Sequence, residues 1–331
     1  MTPSSLFGLQ DHLDDLYANR PQPCQDPAEF RLRLTRLLGL DNRSPVPVTA
    51  EMIHSDDRIG YREETIILDV GEGVRAPAAV LVPRGEPPFK PVIVFHGHEL
   101  GMGAILGHYP DAATAHDNLA RDNNYAQVLA EAGYLVSAVE QRGMGQRLTD
   151  QTGDGPFPRS CRHLAFAYLM AGRTLLGERC WDAMCAITYL QSRPDVQAGV
   201  LGCTGHSGGG CTALWLAALD ERVTAAVVSG YFCTFRDSIL AMPHCECNYV
   251  PGILKLGEIG DVAALVAPRA LCVLHGQTDP LFPAAATVEQ FETVQRAYAV
   301  AENADACALM LHPGGHVYHH AKSQAWFRRW L

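Results

Sequence analysis

With 331 residues, 47% hydrophobic and 19% charged, the chain can bury one large α/β core, and its ordinary glycine (30) and proline (21) counts exclude collagen-like, coiled-coil and disordered classes. Acidic residues (36) outnumber basic ones (26), for a formal net charge of −10, and no Lys/Arg run offers a footprint for a phosphate backbone, so nucleic acid is not an expected partner. No window approaches the roughly 18 apolar residues of a membrane-spanning helix. Residues 1–15 carry three aspartates where a secretory signal would carry basic and apolar regions, which predicts a cytoplasmic chain without a membrane partner.

The first sixty residues read as a helical extension. Residues 30–38 place apolar groups at helical spacing and Gly39 stops the helix, after which Pro45 and Pro47 break the chain ahead of the strands. Runs at 64–70 and 74–82, separated by Gly71-Glu72-Gly73, predict an antiparallel hairpin. From Pro91 the pattern becomes strand, glycine-rich turn, helix. Strands are expected at 91–95, 134–139, 200–204, 223–229, 270–274 and 307–311, with helices at 125–132, 174–191, 209–219 and 321–331. Apolar strands alternating with helices predict an α/β fold with a mostly parallel central sheet, helices on both faces and the hairpin as an antiparallel edge. The domain division is 1–60 for the extension and 61–331 for the main domain. The eleven cysteines are an odd set, and Cys203, Cys272 and Cys307 lie in strand-like runs, so they read as reduced core thiols rather than a disulfide framework.

In a parallel sheet the chemistry gathers at the carboxyl ends of the strands. Gly205-His206-Ser207-Gly208-Gly209 follows one strand and opens a helix, which requires a strained positive-φ turn at Ser207 and small residues on either side of it. A serine hydroxyl needs a base, and the base an orienting acid. Asp279, in His275-Gly276-Gln277-Thr278-Asp279-Pro280 directly after the 270–274 strand, stands where the acid belongs. His316 closes His312-Pro313-Gly314-Gly315-His316 after the last strand. It is the expected base, because two glycines give its loop reach, whereas His312 sits too close to the strand end. The N–H groups of Gly208 and His98 are the expected oxyanion donors, with Glu99 the fallback in the second position. His96 should brace its loop, and His206 should pack or wall the pocket.

Other segments carry blander expectations. Residues 231–260 fall where a lid is commonly inserted, with Tyr231 and Tyr249 as pocket residues, and the 102–124 loop should form the opposite rim. Trp181 and Asp182 read as packing and surface positions, and the His319-His320 pair as a surface feature at the start of the last helix. His244-Cys245-Glu246-Cys247 resembles a metal box, but structural zinc usually takes two spaced pairs and no second pair is evident, so no metal is assigned.

Taken together these residues resemble the α/β-hydrolase superfamily from about Tyr61 to the C-terminus. The nearest likeness is to its acetyl-xylan-esterase-like and dienelactone-hydrolase-like branch. The resemblance is carried by His96-Gly97-His98, Gln141-Arg142-Gly143-Met144-Gly145, the 175–182 stretch, Gly205-His206-Ser207-Gly208-Gly209-Gly210, the 247–252 stretch, and Ala267-Pro268-Arg269 leading to Asp279-Pro280. Dienelactone hydrolases use a cysteine where this chain has Ser207. The deacetylases usually have Gln where it has His206. The resemblance implies a serine esterase without a cofactor, acting on a small-molecule ester or lactone through an acyl-enzyme on Ser207, with Asp279 and His316 completing the triad. An acyltransferase or cyclase would use the same residues with water excluded. A non-catalytic binding protein on this fold would typically lack one of the three. A homo-oligomer is compatible with all of these readings.

Overall fold

The computed structural model describes residues 7–43, 47–153 and 158–331; Pro45 lies outside them. Its nine strands are β1 (Ala50–Asp57), β2 (Tyr61–Asp69), β3 (Arg75–Pro83), β4 (Pro91–Phe95), β5 (Leu135–Val139), β6 (Gly202–His206), β7 (Ala225–Ser229), β8 (Ala270–Gly276) and β9 (Cys307–His312). They form one sheet in the order β1-β2-β3-β5-β4-β6-β7-β8-β9. The β1–β2, β2–β3 and β3–β5 pairings are antiparallel and all others parallel.

Strands β4 to β8 are buried along their whole length, so both faces must be covered. Alternate side chains define the two cores. Ile93, Phe95, Cys203, Val228 and Val273 join a cluster with the helices α2 (Pro27–Leu38), α7 (Leu175–Ser192), α8 (Gly208–Leu219), α9 (Ile259–Ala264) and α10 (Ala284–Val300). Val92, Val94, Val136, Val227 and Leu274 face the other way, toward α3 (Met102–Leu106), α5 (Tyr125–Glu131) and α11 (His320–Trp330). Helices α1 (Leu9–Ala18), α4 (Ala112–Leu119) and α6 (Cys161–Met170) complete the set.

The extension is docked rather than loose. In α2, Asp26 caps the N-terminus by accepting from Ala28 and Glu29 N–H, Pro27 takes the first turn, and Gly39 (φ 74°) ends it. Its Phe30, Leu34 and Leu38 are fully buried, each worth about 1.5–3 kcal/mol of apolar burial. Arg31 adds bonds to the carbonyls of Ala218 and Leu265.

Several elements differ from the sequence reading: helices α3, α4, α6, α9 and α10 were not foreseen, and the edge of the sheet is longer. Residues 50–57, assigned to the helical extension, form the edge strand β1, so the antiparallel edge is longer than a hairpin. The segment Ala50–Asp57 is mostly exposed and polar, and an edge position tolerates such a strand without any apolar alternation to announce it. Helix α10, not foreseen at all, buries Thr287, Phe291, Val294 and Tyr298 at helical spacing, a stripe diluted by its many small alanines.

Asp182, expected at the surface, is a further correction: it is 2% exposed. Glu178 and Asp182 lie one turn apart on α7 and face the loop after β5. There Arg142 forks onto both Asp182 oxygens (2.8 and 2.7 Å) and reaches Glu178 (2.5 Å). Arg147 also bonds Asp182, while Arg43 and Arg173 close on Glu178 at 2.7 and 2.6 Å. Burial pushes the Asp182 carboxyl up, but the two guanidiniums outweigh it and hold it below the usual range. Trp181, beside it, donates to the Val70 carbonyl and so pins α7 to the end of β2. Because removing one member of a buried ion cluster strands the others, Asp182→Ala is expected to cost about 3–5 kcal/mol, measured by urea unfolding at pH 7.

Candidate active site

Strand β6 runs through His206 and α8 begins at Gly208, leaving Ser207 alone on the bend at φ 56°, ψ −119°. A side chain other than glycine at this φ is strained by about 1–3 kcal/mol and persists only where its surroundings dictate it. They do so here: a Cβ on Gly205 would collide with the Gly209 backbone, and one on Gly209 with the Phe95 carbonyl oxygen. Ser207 N–H is bonded to the Ser229 carbonyl on β7 at 2.9 Å. The serine is half-buried at the floor of a cleft of about 190 Å³, together with His98, Glu99, His206, Leu281 and His316.

The loops after β8 and β9 deliver the other two groups. Asp279 Oδ2 is 2.7 Å from His316 Nδ1, while its Oδ1 accepts from Leu281 N–H (2.9 Å) and Phe282 N–H (3.2 Å). Burial alone would raise the Asp279 carboxyl; these bonds, led by the one from His316, hold it below the usual carboxylate range. With Nδ1 engaged, His316 keeps Nε2 for the cleft it shares with Ser207. Its ring is clamped between His206 (centroids 4.5 Å apart) and Phe282 (5.8 Å, planes 18° apart). Gly276 lets the two loops meet, since a Cβ there would strike the Gly315 carbonyl. The competing His312 turns elsewhere: it is buried, accepts from Gly314 N–H (3.2 Å) and meets the His319 ring at 5.4 Å.

His98 and Gly208 are neighbours: a Cβ on Gly208 would enter the His98 ring. Neither backbone N–H has an acceptor among the described residues, as expected of a helix N-terminus and a loop facing a cleft. His96 is fully buried, 2.9 Å from Glu140 and 3.0 Å from Gln141 N–H, which ties the β4 loop to the β5 loop. Glu99 is in the cleft but held by Arg121 (2.9 Å) and Asn123 (3.5 Å), both of which also line it. These two belong to the 102–124 segment, read from the sequence as a rim without any residue singled out.

Tyr231 and Tyr249 are not in this cleft. Tyr231 is completely buried under α8, bonded to Trp215 Nε1, and Tyr249 bonds the Ile239 carbonyl beside two separate surface hollows. The segment they belong to reaches the site by other side chains: His244 packs on Phe282 at 5.4 Å, and Cys247 Sγ lies 3.3 Å from His98 Nε2. Phe282 was missed, although its position three residues past Asp279 places it in the same loop. The His319-His320 pair is half-buried rather than on the surface, with His320 bonded to Asn124 at 3.0 Å.

The sheet order, the strained serine at the end of β6 and the helices on both faces are those of the α/β-hydrolase fold, and comparison with known proteins agrees. No family model matches the chain. A Bacillus subtilis (strain 168) protein named "Putative hydrolase YtaP" is 28% identical over 297 residues, covering 87% of this chain and 93% of that one. Among solved structures, a Bacteroides fragilis NCTC 9343 protein described as a "putative acetyl xylan esterase" superposes with TM-score 0.73 at 17% identity, covering 86% of this chain and 74% of its own. A glucuronoyl esterase from Solibacter usitatus gives TM-score 0.66 at 15% identity, covering 92% and 91%.

Burial, with the His316 ring beside it, holds His206 well below the ordinary imidazole range, and its Nδ1 meets Ser229 Oγ at 3.0 Å. A ring neutral when folded but chargeable when unfolded contributes stability above about pH 6.5 that is lost as pH falls further. Nitrogen NMR is expected to show His206 still neutral at pH values where a free imidazole is charged, and His206→Gln to flatten the acid limb of stability by up to about 1.4 kcal/mol per pH unit.

Proposed function

We propose that the protein is a serine hydrolase of small carboxylic esters. One observation carries the reading: an imidazole oriented by a buried carboxylate opens into the same cleft as a serine on a strained strand-to-helix turn. Ser207 attacks the ester carbonyl while His316 takes its proton through Nε2. Asp279 holds the imidazole in that tautomer and stabilises its cation. The Gly208 and His98 N–H groups, with the positive end of α8, receive the oxyanion. Protonated His316 returns its proton to the leaving alcohol, and water then releases the acyl group with His316 again as base.

The cleft bears on substrate size. At about 190 Å³ it is smaller than the roughly 300–1,000 Å³ of ordinary ligand pockets, which fits a short acyl group. The Glu99-Arg121-Asn123 rim is polar and suits a hydroxyl-rich alcohol portion. The solved structures that share the fold, described as acetyl xylan and glucuronoyl esterases, are consistent with such a substrate.

Fluorophosphonate should label the wild-type chain and fail to label Ser207→Ala. On p-nitrophenyl acetate, Ser207→Ala and Asp279→Asn are each expected to lower kcat by about 10⁴-fold or more, with hydrolysis falling from acetyl to octanoyl esters. Labelling that survives Ser207→Ala would overturn the proposal.

A further inference from the structure

A cavity of about 350 Å³ is walled by the loop after β5, the start of β3 and helix α6, and it shares no residue with the cleft that holds Ser207. Three arginines line it, Arg75 from β3 and Arg142 and Arg147 from the loop, and no aspartate or glutamate does so among the described residues. The rest of the wall is largely apolar, supplied by Ile67, Pro77, Leu148 and Leu164.

The charge behind this cavity is out of balance. Arg43, Arg142, Arg147 and Arg173 close on the buried Glu178 and Asp182, and the only further carboxylate in that network among the described residues is the more exposed Glu72, shared by Arg43 and Arg173. The Glu140 carboxylate is spent on His96 and on the Met102 and Gln146 N–H groups. The surplus cation is Arg147, because Arg142 already holds both oxygens of Asp182, the one acid that Arg147 meets. The Arg147 side chain is only 7% exposed, yet it bonds Asp182 and the Glu140 carbonyl through Nη1 alone. Its Nε and Nη2 hydrogens have no acceptor among the described residues. The Tyr168 hydroxyl, also in the cavity wall, accepts from Arg142 at 2.8 Å and keeps its own hydrogen to donate. A guanidinium buried this deeply with two nitrogens unspent calls for an anion beside it.

We propose that the cavity binds the phosphate group of a small phosphate monoester. The Nε and Nη2 edge of Arg147 is a fork that matches two phosphate oxygens, and charge-assisted bonds of that kind are the strong ones. Arg75 and the Tyr168 hydroxyl approach from other walls, and a tetrahedral dianion can accept from all three where a planar carboxylate cannot. The apolar wall suits a short hydrocarbon or aromatic body on the ester. Occupancy fastens the loop after β5 to β3 and α6, and this is the loop that holds the His96 ring through Glu140 and Gln141. The site is independent of the ester chemistry at Ser207.

The test is calorimetric titration of the full chain with phenyl phosphate, the ionic strength held constant with NaCl so that screening does not vary. One saturable site per chain is expected, with a Kd at least about tenfold below that for benzoate, which keeps the ring but lacks the dianion. Arg147→Lys keeps a cation beside Asp182 and removes the fork, and Arg75→Gln changes an exposed side chain that the fold does not need. Each should weaken binding by about tenfold or more. Should Arg147→Lys fail to fold, Arg75→Gln and Tyr168→Phe carry the comparison. Arg121→Gln, which removes the cation of the catalytic cleft, should leave the Kd unchanged. Wild type that binds phenyl phosphate no better than benzoate would overturn the site. So would binding that survives in folded Arg75→Gln and Tyr168→Phe, or that is lost in Arg121→Gln.

Discussion

The structure depends on how closely β4, β6 and α8 can approach one another. Gly205 and Gly209 remove the side chains that would hold them apart, and the contact with the Phe95 carbonyl then fixes the path of the chain between strand and helix. Ser207 has no relaxed conformation left, and its hydroxyl stands clear of the sheet because the backbone beneath it is locked on both sides. The strain is local. The burial that opposes it is spread over the whole of α8, in which every residue from Gly208 to Ala218 is inaccessible to solvent.

Around that fixed point the loops are tied to one another more than to solvent. Gln141 joins the His96 carbonyl to Thr212 on α8. Gln277 and Thr278 N–H bond the His312 and Gly314 carbonyls, so the acid-bearing and imidazole-bearing loops move as one body. Arg142, adjacent to Gln141, anchors the β5 loop to α7 through the buried acidic pair. Preorganisation of this kind is what makes electrostatic stabilisation effective in a cleft, because the dipoles need not reorganise when charge develops.

What could be read from the sequence divides along physical lines. Ser207, Asp279 and His316 were legible because each sits in a short strand-then-turn pattern whose glycines have a steric purpose, and β4 to β9 because their short runs hold no Asp, Glu, Lys or Arg. Strand β1 was not, since an edge strand needs no buried alternation. Asp182 was read as surface because the two guanidiniums that face it, from Arg142 and Arg147, belong to the loop after β5, which only the fold brings to α7. Tyr231 and Tyr249 were placed by segment alone, and aromatic side chains in an irregular stretch can point to either side of it. The meeting of Cys161 and His98 with Cys245 is likewise a matter of space: no spacing rule links positions 98, 161 and 245.

The polar character of β1 also governs how the sheet ends. Along its exposed rim it carries Glu51, His54, Asp56 and Asp57, and it is bulged between Met52 and His54. A charged, irregular border of that kind repels strand-by-strand growth. At the far side, β9 (CALMLH) has no ionised carboxylate or ammonium group in it at all. The sheet is therefore defended at one margin and plain at the other, and any self-association by strand addition has a single margin on which to begin.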